Sequence, residues 1–346
     1  MKAAAAILVE TGRPLELVEL AMPALKAGQV LVEIAYSGVC HTQLLEARGY
    51  RGEDKFLPHC LGHEGSGIVR ELGPDVGKVK VGQKVVLSWI KGSGANVPGS
   101  VYDWDGKPVN AGAVTTFNKF ALVSENRLTP IGDELPMPLI ALLGCAVPTG
   151  FGAVLNTGKA QAGQSVVVFG CGGIGLAAVA AAAATGCDPV IAVDLEPTKL
   201  ALARSFGATH TLSARELDPV AAVRELTKGG ADLAIEATGR PQVMTQALHC
   251  VRQQGGQAVI IGNARHGETL TLDPQQFNQG KRLLGTWGGD SDPDRDYPGY
   301  AKLLAGRVDL TPLIPGSYTL AEVNKALEDL ETGRAFRPLI DLSRVG

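Results

Sequence analysis

Hydrophobic and polar positions change rhythm along this chain. Up to about residue 146 the apolar runs are short, and the better ones alternate. Gln29–Ser37 (QVLVEIAYS) reads as a half-buried strand, and Ser66–Glu71 and Gln83–Leu87 read as further short strands. A first strand is also expected in the apolar stretch that follows Met1. Turn signals such as Gly73-Pro74-Asp75 and Gly77 separate these runs. No helical period is expected before about Pro136, so the region is predicted to be all β. Farther on, apolar runs alternate with helical spacing. Val166–Phe169, Val190–Val193, Asp232–Ala237, Gln257–Ile261 and Leu283–Trp287 read as strands of a buried parallel sheet. Helices are predicted over Ala153–Thr157, up to Thr185, over Lys199–Phe206, over Val220–Thr227 and, amphipathic, over Leu320–Leu330. This alternation predicts an α/β fold with a doubly wound sheet behind a β-rich region. The acidic stretch Gly288–Tyr297 (GGDSDPDRDY) is expected as a solvated loop between the two.

One turn carries chemistry. After Val166–Phe169, residues Gly170, Gly172 and Gly175 make a G-x-G-x-x-G turn enclosing Gly173 and Ile174, and an alanine-rich helix follows. Gly186 suits its C-terminal cap. The next strand ends at Asp194, 19 residues past Gly175. In this pattern the glycines admit a pyrophosphate to the helix N-terminus, and the acid accepts from ribose hydroxyls. Strand, triplet, helix, strand and acid in register predict a dinucleotide site. An acid there would repel a 2′-phosphate, which favours NAD over NADP. Gly239 and the Ile261-Gly262 turn fall at strand ends, where backbone contacts to the same cofactor are expected.

Composition narrows the partners. The chain has 346 residues, long enough for two domains, with 45% hydrophobic and 19% charged positions. A net charge of −3 carries no polybasic signature, so nucleic acid and anionic membrane are not expected partners. The longest apolar run, Leu176–Ala184, is too short to span a bilayer. Six scattered cysteines read as reduced thiols, some of them metal ligands, and cytoplasm follows by default.

Three positions could hold such a metal: Cys40 in Gly38-Val39-Cys40-His41-Thr42, His63 in Gly62-His63-Glu64-Gly65, and Cys145 in Leu143-Gly144-Cys145. Cysteine and histidine suit zinc, and three protein ligands with one open position define a catalytic site. Glu64, beside His63, could support the metal or exchange onto it. Spacing alone does not bring these residues together, and each has a plain reading as a core side chain.

In order, these motifs (GxCHT, GHExxG, Gly144-Cys145 and GxGxxG with its acid) resemble the zinc-dependent medium-chain alcohol dehydrogenases, close to the class III and aryl-alcohol branches. The resemblance spans essentially the whole chain. It implies a GroES-like catalytic domain over residues 1–146 and 287–346 and a Rossmann domain over residues 147–286. It implies Cys40, His63 and Cys145 as convergent zinc ligands. Thr42 matches the residue that takes the alcohol proton. His41 and Arg337 match positions at the cofactor pyrophosphate, and Lys199 a lysine near the adenosine ribose. Thr149, where the chain enters the nucleotide domain, is a further cofactor-binding position. Trp89 and Phe117 match positions lining the substrate pocket, with core packing as the plainer reading of both. A small alcohol or aldehyde substrate and a homodimer or homotetramer are implied as well.

The chain departs from the family pattern at three places. Gln43 stands where the family usually has an Asp behind the zinc-bound histidine, so a less tightly held, more electron-poor zinc is expected. Leu45 replaces a histidine that in many relatives passes the proton to solvent. The lobe Lys91–Ser100 has none of the four cysteines that hold the family's structural zinc, which implies one zinc per chain. Three readings follow: an NAD-dependent alcohol dehydrogenase; a zinc dehydrogenase of polyols, sugars or S-hydroxymethyl thiols; and an NAD-binding redox sensor without turnover.

Overall fold

A computed structural model describes residues 1–314 and 316–345. They form two compact units, one of Met1–Cys145, Asp292–Ala305 and Leu313–Gly346, the other of Ala146–Ser291 and Gly306–Pro312.

The second unit is built on a six-stranded sheet. Its order is His210–Ser213, Val190–Asp194, Val166–Phe169, Leu233–Glu236, Gln257–Ile260, Arg282–Gly285, and every pairing is parallel. All four residues of Val166–Phe169 are buried, as a continuous apolar run requires in a sheet covered on both faces. The chain winds outward from that strand in one direction, then restarts beside it with Leu233–Glu236. A crevice opens at such a reversal, beyond the carboxyl ends of the two strands. The helix Gly173–Thr185 starts there, and Gly186 ends it in the left-handed conformation at φ 83°.

The first unit has two sheets. Lys2–Leu8, Glu16–Ala21, Val101–Trp104, Lys107–Asn110 and His59–Cys60 close into a barrel. The other sheet runs Leu128–Pro130, Lys84–Ser88, Glu64–Leu72, Gln29–Gly38, Leu339–Asp341, Ser317–Thr319, with Phe120–Ser124 also paired to Gln29–Gly38. Register in this sheet matters most for the site. Ser37 lies opposite Gly65, Glu64 opposite Ser88, and Gly38 opposite Leu339. Four strand ends, remote in sequence, thus meet at one edge.

Some expectations need correction. The region before Pro136 is not all β, since His41–Ala47 is a helix that buries Gln43, Leu44, Leu45 and Ala47. Two turns are too short to display a helical period. Gly288–Tyr297 is not a solvated loop. Pro293 starts a helix that runs to Gly306, with Asp294 and Asp296 in its first turn, and Tyr297 is fully buried. Proline and acids suit a helix N-terminus as well as a turn, and the sequence signal for the two is the same. The return to the first unit comes at Asp292 rather than 287, because Ser291 Oγ donates to Pro148 O at 2.9 Å and Thr157 Oγ1 to Asp290 at 2.6 Å.

The cysteine-free lobe is organised by Glu125, a buried carboxylate. Its Oε1 accepts from Ala95 N at 2.8 Å, and its Oε2 from Gly77 N and Lys78 N at 3.0 and 3.1 Å. Ser124 Oγ accepts from Val97 N at 2.8 Å. On the far side Asp294 takes Ser93 N at 2.6 Å and pairs with Lys78 at 2.5 Å. Burial pushes the Glu125 carboxyl up, but three backbone N–H groups and the nearby Lys78 outweigh it, and the result lies below the ordinary 4.5. A carboxyl depressed in the folded state stabilises above its unfolded value and loses that contribution as pH falls through the folded one. Glu125→Gln is therefore expected to cost about 1–3 kcal/mol at neutral pH, read as a lower urea midpoint. The gap between the two proteins should close below pH 4.5, and a gap that is constant down to pH 3 would contradict the assignment.

Candidate active site

The strand ends deliver three soft ligands to one point. Cys40 is the residue that caps His41–Ala47, two positions after the strand Gln29–Gly38 ends. His63 immediately precedes the strand Glu64–Leu72. Cys145 is placed by Ser88, whose Oγ donates to Gly144 O at 2.8 Å and meets the Tyr297 hydroxyl at 2.8 Å. Gly144 has to be glycine. A Cβ there would sit 2.4 Å from Leu87 O and 2.7 Å from Glu64 Cβ. Ligand atoms of Cys40, His63 and Cys145 all lie within 4.8 Å of one another. Neither spacing nor periodicity carries this convergence, which depends on register.

A hydrogen bond from Cys145 pulls the Cys40 thiol far below its ordinary value, aided by Arg337 and His63 against burial. The same bond, with burial, pushes Cys145 up. Burial presses His63 down, but the hydrogen bond to and charge of Cys40 prevail and raise it. Two thiols sharing a proton beside an imidazole form a donor set that a divalent soft cation takes by displacing protons. The set fits zinc.

Glu64 lies next to the ligands, fully buried. Arg337, also buried, donates to its Oε1. Glu64 Oε2 and Arg337 Nε have no hydrogen-bond partner among the described residues. Burial raises the Glu64 carboxyl, and Arg337 offsets only part of that rise. Thr42 and His41 fill the first turn of the helix that starts after Cys40. Gln43, on the same turn, accepts from Cys40 N at 2.7 Å and lies 3.0 Å from His63 Nδ1. Trp89 follows the strand Lys84–Ser88, and its carbonyl accepts from Arg127. Phe117 is fully buried in the hydrophobic core of the first unit, the packing role weighed for it above.

In the second unit the glycine turn is built for an anion. Gly170 has φ 90°, and a Cβ on Gly175 would fall 1.8 Å from Gly170 O, so the turn tolerates no side chain at either place. Gly172 caps the helix without a side-chain hydrogen bond, and a Cβ on it would point into open space. Helix N–H groups without a side-chain cap, facing open space, fit a phosphate. Asp194 is fastened over the turn. One oxygen accepts from Cys171 N at 2.7 Å, the other from Leu195 N and Glu196 N at 2.7 and 3.0 Å. Lys199 lies on the next helix, Pro197–Ser205. Thr149 Oγ1 is buried with no hydrogen-bond partner among the described residues, as a site for an amide or hydroxyl would leave it.

One polar group escaped the sequence reading, and a second has partners that the sequence did not supply. Glu236, fully buried, accepts on Oε1 from Thr238 N at 2.7 Å and Gly239 N at 3.0 Å, while its carbonyl takes Ile261 N and Gly262 N. It thereby ties together the Gly239 and Ile261-Gly262 turns. An acid inside the apolar run DLAIEA was the available signal. His59 is buried, with Nε2 at 2.8 Å from Asp54 and Nδ1 at 3.1 Å from Cys60 O. With Glu46 these form a second His-carboxylate cluster, and its members looked unrelated in sequence.

Known proteins agree with this geometry. Residues 26–133 match the alcohol dehydrogenase GroES-like domain and residues 173–306 the zinc-binding dehydrogenase domain. The S-(hydroxymethyl)glutathione dehydrogenase of Synechocystis sp. is 34% identical over 98% of this chain and all of its own length. An alcohol dehydrogenase zinc-binding domain protein from Burkholderia ambifaria superposes with a TM-score of 0.92 at 31% identity, each chain covered to 99%. The benzyl alcohol dehydrogenase of Acinetobacter calcoaceticus superposes at 0.90 with 32% identity and the same coverage. Among the described residues no helix is long and apolar enough to cross a membrane. Converging thiols and imidazole, a glycine turn on a doubly wound sheet, and relatives matched end to end lead to one conclusion: the chain belongs to the zinc-dependent medium-chain alcohol dehydrogenases, NAD-dependent oxidoreductases that act on CH–OH groups.

Proposed function

We propose that this chain interconverts a small alcohol and its aldehyde or ketone with NAD, at one zinc held by Cys40, His63 and Cys145. The observation that carries the proposal is the convergence of those three ligand atoms within 4.8 Å. When bound, zinc supplies Lewis acidity toward the substrate oxygen and NAD accepts the hydride. Thr42, two residues along the backbone from a metal ligand, accepts the hydrogen bond of the alcohol O–H and, as that proton moves onto its oxygen, gives up its own hydroxyl proton to water. Asp194 selects NAD, its carboxylate set for ribose hydroxyls and repelling a 2′-phosphate. The Gly170–Gly175 turn holds the pyrophosphate, with Lys199, Ile261, Gly262 and Thr149 as further cofactor contacts. His41 and Arg337 are proposed at the pyrophosphate too. Arg337 already carries Glu64, so this role asks its guanidinium to serve two anions. Glu64 Oε2 would be its free oxygen toward the metal. Trp89 is the aromatic wall of the pocket, and Phe117, fully buried in the core of the first unit, is left with the packing role.

Substrate class has a second reading. The Synechocystis relative is named for S-(hydroxymethyl)glutathione and the Acinetobacter one for benzyl alcohol. Either would present a primary alcohol carbon, and Trp89 favours the aromatic one through stacking. A homodimer or homotetramer in the cytoplasm completes the proposal.

A panel of alcohols containing benzyl alcohol and S-(hydroxymethyl)glutathione, run with NAD and with NADP, tests the whole reading. NADH formation is expected, with NADP at least about 100-fold poorer in kcat/KM because a like charge meets Asp194. A protein that loads zinc yet turns over nothing on the panel would be the redox sensor instead. Thr42→Val should lower kcat by about 100-fold or more while zinc content stays unchanged. Kinetics within threefold of the wild type would remove Thr42 from the proton path. Elemental analysis should find one zinc per chain, since the Glu125 loop is held without cysteines; a value near two would refute this.

A further inference from the structure

We propose that Glu46, Asp54 and His59 form a second divalent-cation site, which takes an exchangeable transition-metal ion. It shares no residue with Cys40, His63 and Cys145, so it stands whether or not those three bind zinc. Ligand atoms of Glu46, Asp54 and His59 all lie within 4.8 Å of one another.

Three pieces of the chain bring them together. Glu46 sits near the end of the helix His41–Ala47. His59 lies on the short strand His59–Cys60, opposite Leu8 on one side and Asn110 on the other. Asp54 belongs to the irregular segment between helix and strand, where its Oδ1 accepts from Phe56 N at 2.9 Å. The His59 and Asp54 side chains are 9% and 10% exposed, and Glu46 is half-buried.

The imidazole carries the argument. Nδ1 lies 3.1 Å from Cys60 O, an atom that only accepts, so Nδ1 holds a proton. Nε2 lies 2.8 Å from Asp54 Oδ2. In the neutral ring that nitrogen presents a lone pair, and a carboxylate oxygen also only accepts. A positive charge has to stand between them, on a proton or a metal. A histidine whose Nδ1–H is held by a backbone carbonyl is preset to ligate through Nε2. Glu46 decides between proton and metal. With a proton on Nε2, two carboxylates face one imidazolium, and a net negative charge stays in a largely buried place. Arg48, two residues beyond Glu46, is taken by Glu331 at 2.8 Å. Among the described residues no lysine or arginine is ion-paired with Glu46 or Asp54. A divalent ion on a neutral ring and two carboxylates leaves no net charge. Bonds of about 2.1 Å from one ion set its ligand atoms about 3–4 Å apart, so the Nε2–Oδ2 contact opens only slightly to admit it.

One imidazole and two carboxylates suit Mn2+, Co2+ or Zn2+. Without a thiolate the set holds its ion less tightly than Cys40, His63 and Cys145 hold zinc, so the ion washes out while the zinc stays. When bound, it ties the helix that Cys40 caps to a strand of the barrel.

Mn2+ is the probe, because it is poorly matched to thiolates. The full-length, zinc-loaded protein, freed of loose metal by gel filtration, is titrated with Mn2+, and the free ion is read by its EPR signal. One Mn2+ per chain is expected with a Kd below about 100 μM, and saturating Mn2+ should raise the melting temperature. Glu46→Gln and His59→Gln each remove one ligand. Each should weaken Mn2+ binding by at least about tenfold, since even a group supporting a ligand from behind is worth about 10–100-fold. Glutamine is a good helix former, so Glu46→Gln keeps the test decisive should His59→Gln fail to fold. Wild-type binding weaker than about 100 μM would leave a plain His59–Asp54 ion pair and overturn the proposal. A Glu46→Gln variant that loses less than about tenfold would place the ion elsewhere and overturn it as well.

Discussion

Glu64 and Arg337 form a fully buried ion pair at the junction of four strand ends. The active edge of the first unit depends on it. Arg337 arrives on the chain's return, two residues before Leu339 pairs with Gly38. Glu64 opens the strand whose preceding residue is the ligand His63. Joining them closes the C-terminal strand onto the edge that carries Cys40 and His63. Losing either partner would strand a charge in the interior, at a cost of about 3–5 kcal/mol. The pair also shapes the field around the sulfurs. Arg337 lowers the Cys40 thiol and moderates Cys145, while Glu64 holds His63 toward its charged form. The pair thus serves stability and ligand charge together.

How much of this could be read from residues alone follows from the range of each signal. The Val166–Asp194 unit was legible because its parts are local: a strand, a turn, a helix and an acid within one stretch, each with a backbone reason. Cys40, His63 and Cys145 were legible as residue types but not as a cluster, since their meeting depends on Ser37 lying opposite Gly65 and on Ser88 holding Gly144. Only the family resemblance supplied that meeting in advance. His41–Ala47 was missed because seven residues hold no period, and the helix start at Pro293 because its acids and prolines also spell a loop. Glu236 was hidden inside a strand for the same reason in reverse: an apolar run outvoted its one carboxylate.

The departures from the family share a theme. Each replaces a group that was charged or metal-bound with one that works by neutral hydrogen bonding, steric fit or a single buried acid. Gln43 trades a carboxylate for an amide. Leu45, 7% exposed, trades a proton carrier for packing. The Lys91–Ser100 lobe trades four thiolates for Glu125 and Ser124. This last exchange is the easiest to rationalise. A zinc tetrad orders a loop through its own side chains, whereas Glu125 orders it through backbone N–H groups, so the lobe's sequence is free to be small and glycine-rich. Gly94 then becomes necessary, because a Cβ there would lie 2.8 Å from the Glu125 side chain.

The same logic separates the two metal questions that the family raises. A loop can be ordered by any group that satisfies its backbone, and Glu125 accepts from Gly77, Lys78 and Ala95 N–H. A catalytic metal has no such substitute. Its ligands must keep an open position and tolerate a change of charge during turnover, which no hydrogen-bonded carboxylate supplies. Losing it would leave two buried thiols and an imidazole with nothing to polarise a carbonyl. Cys40, His63 and Cys145 brought together, with no cysteine in the Lys91–Ser100 lobe, is therefore a combination that suits an enzyme that turns over.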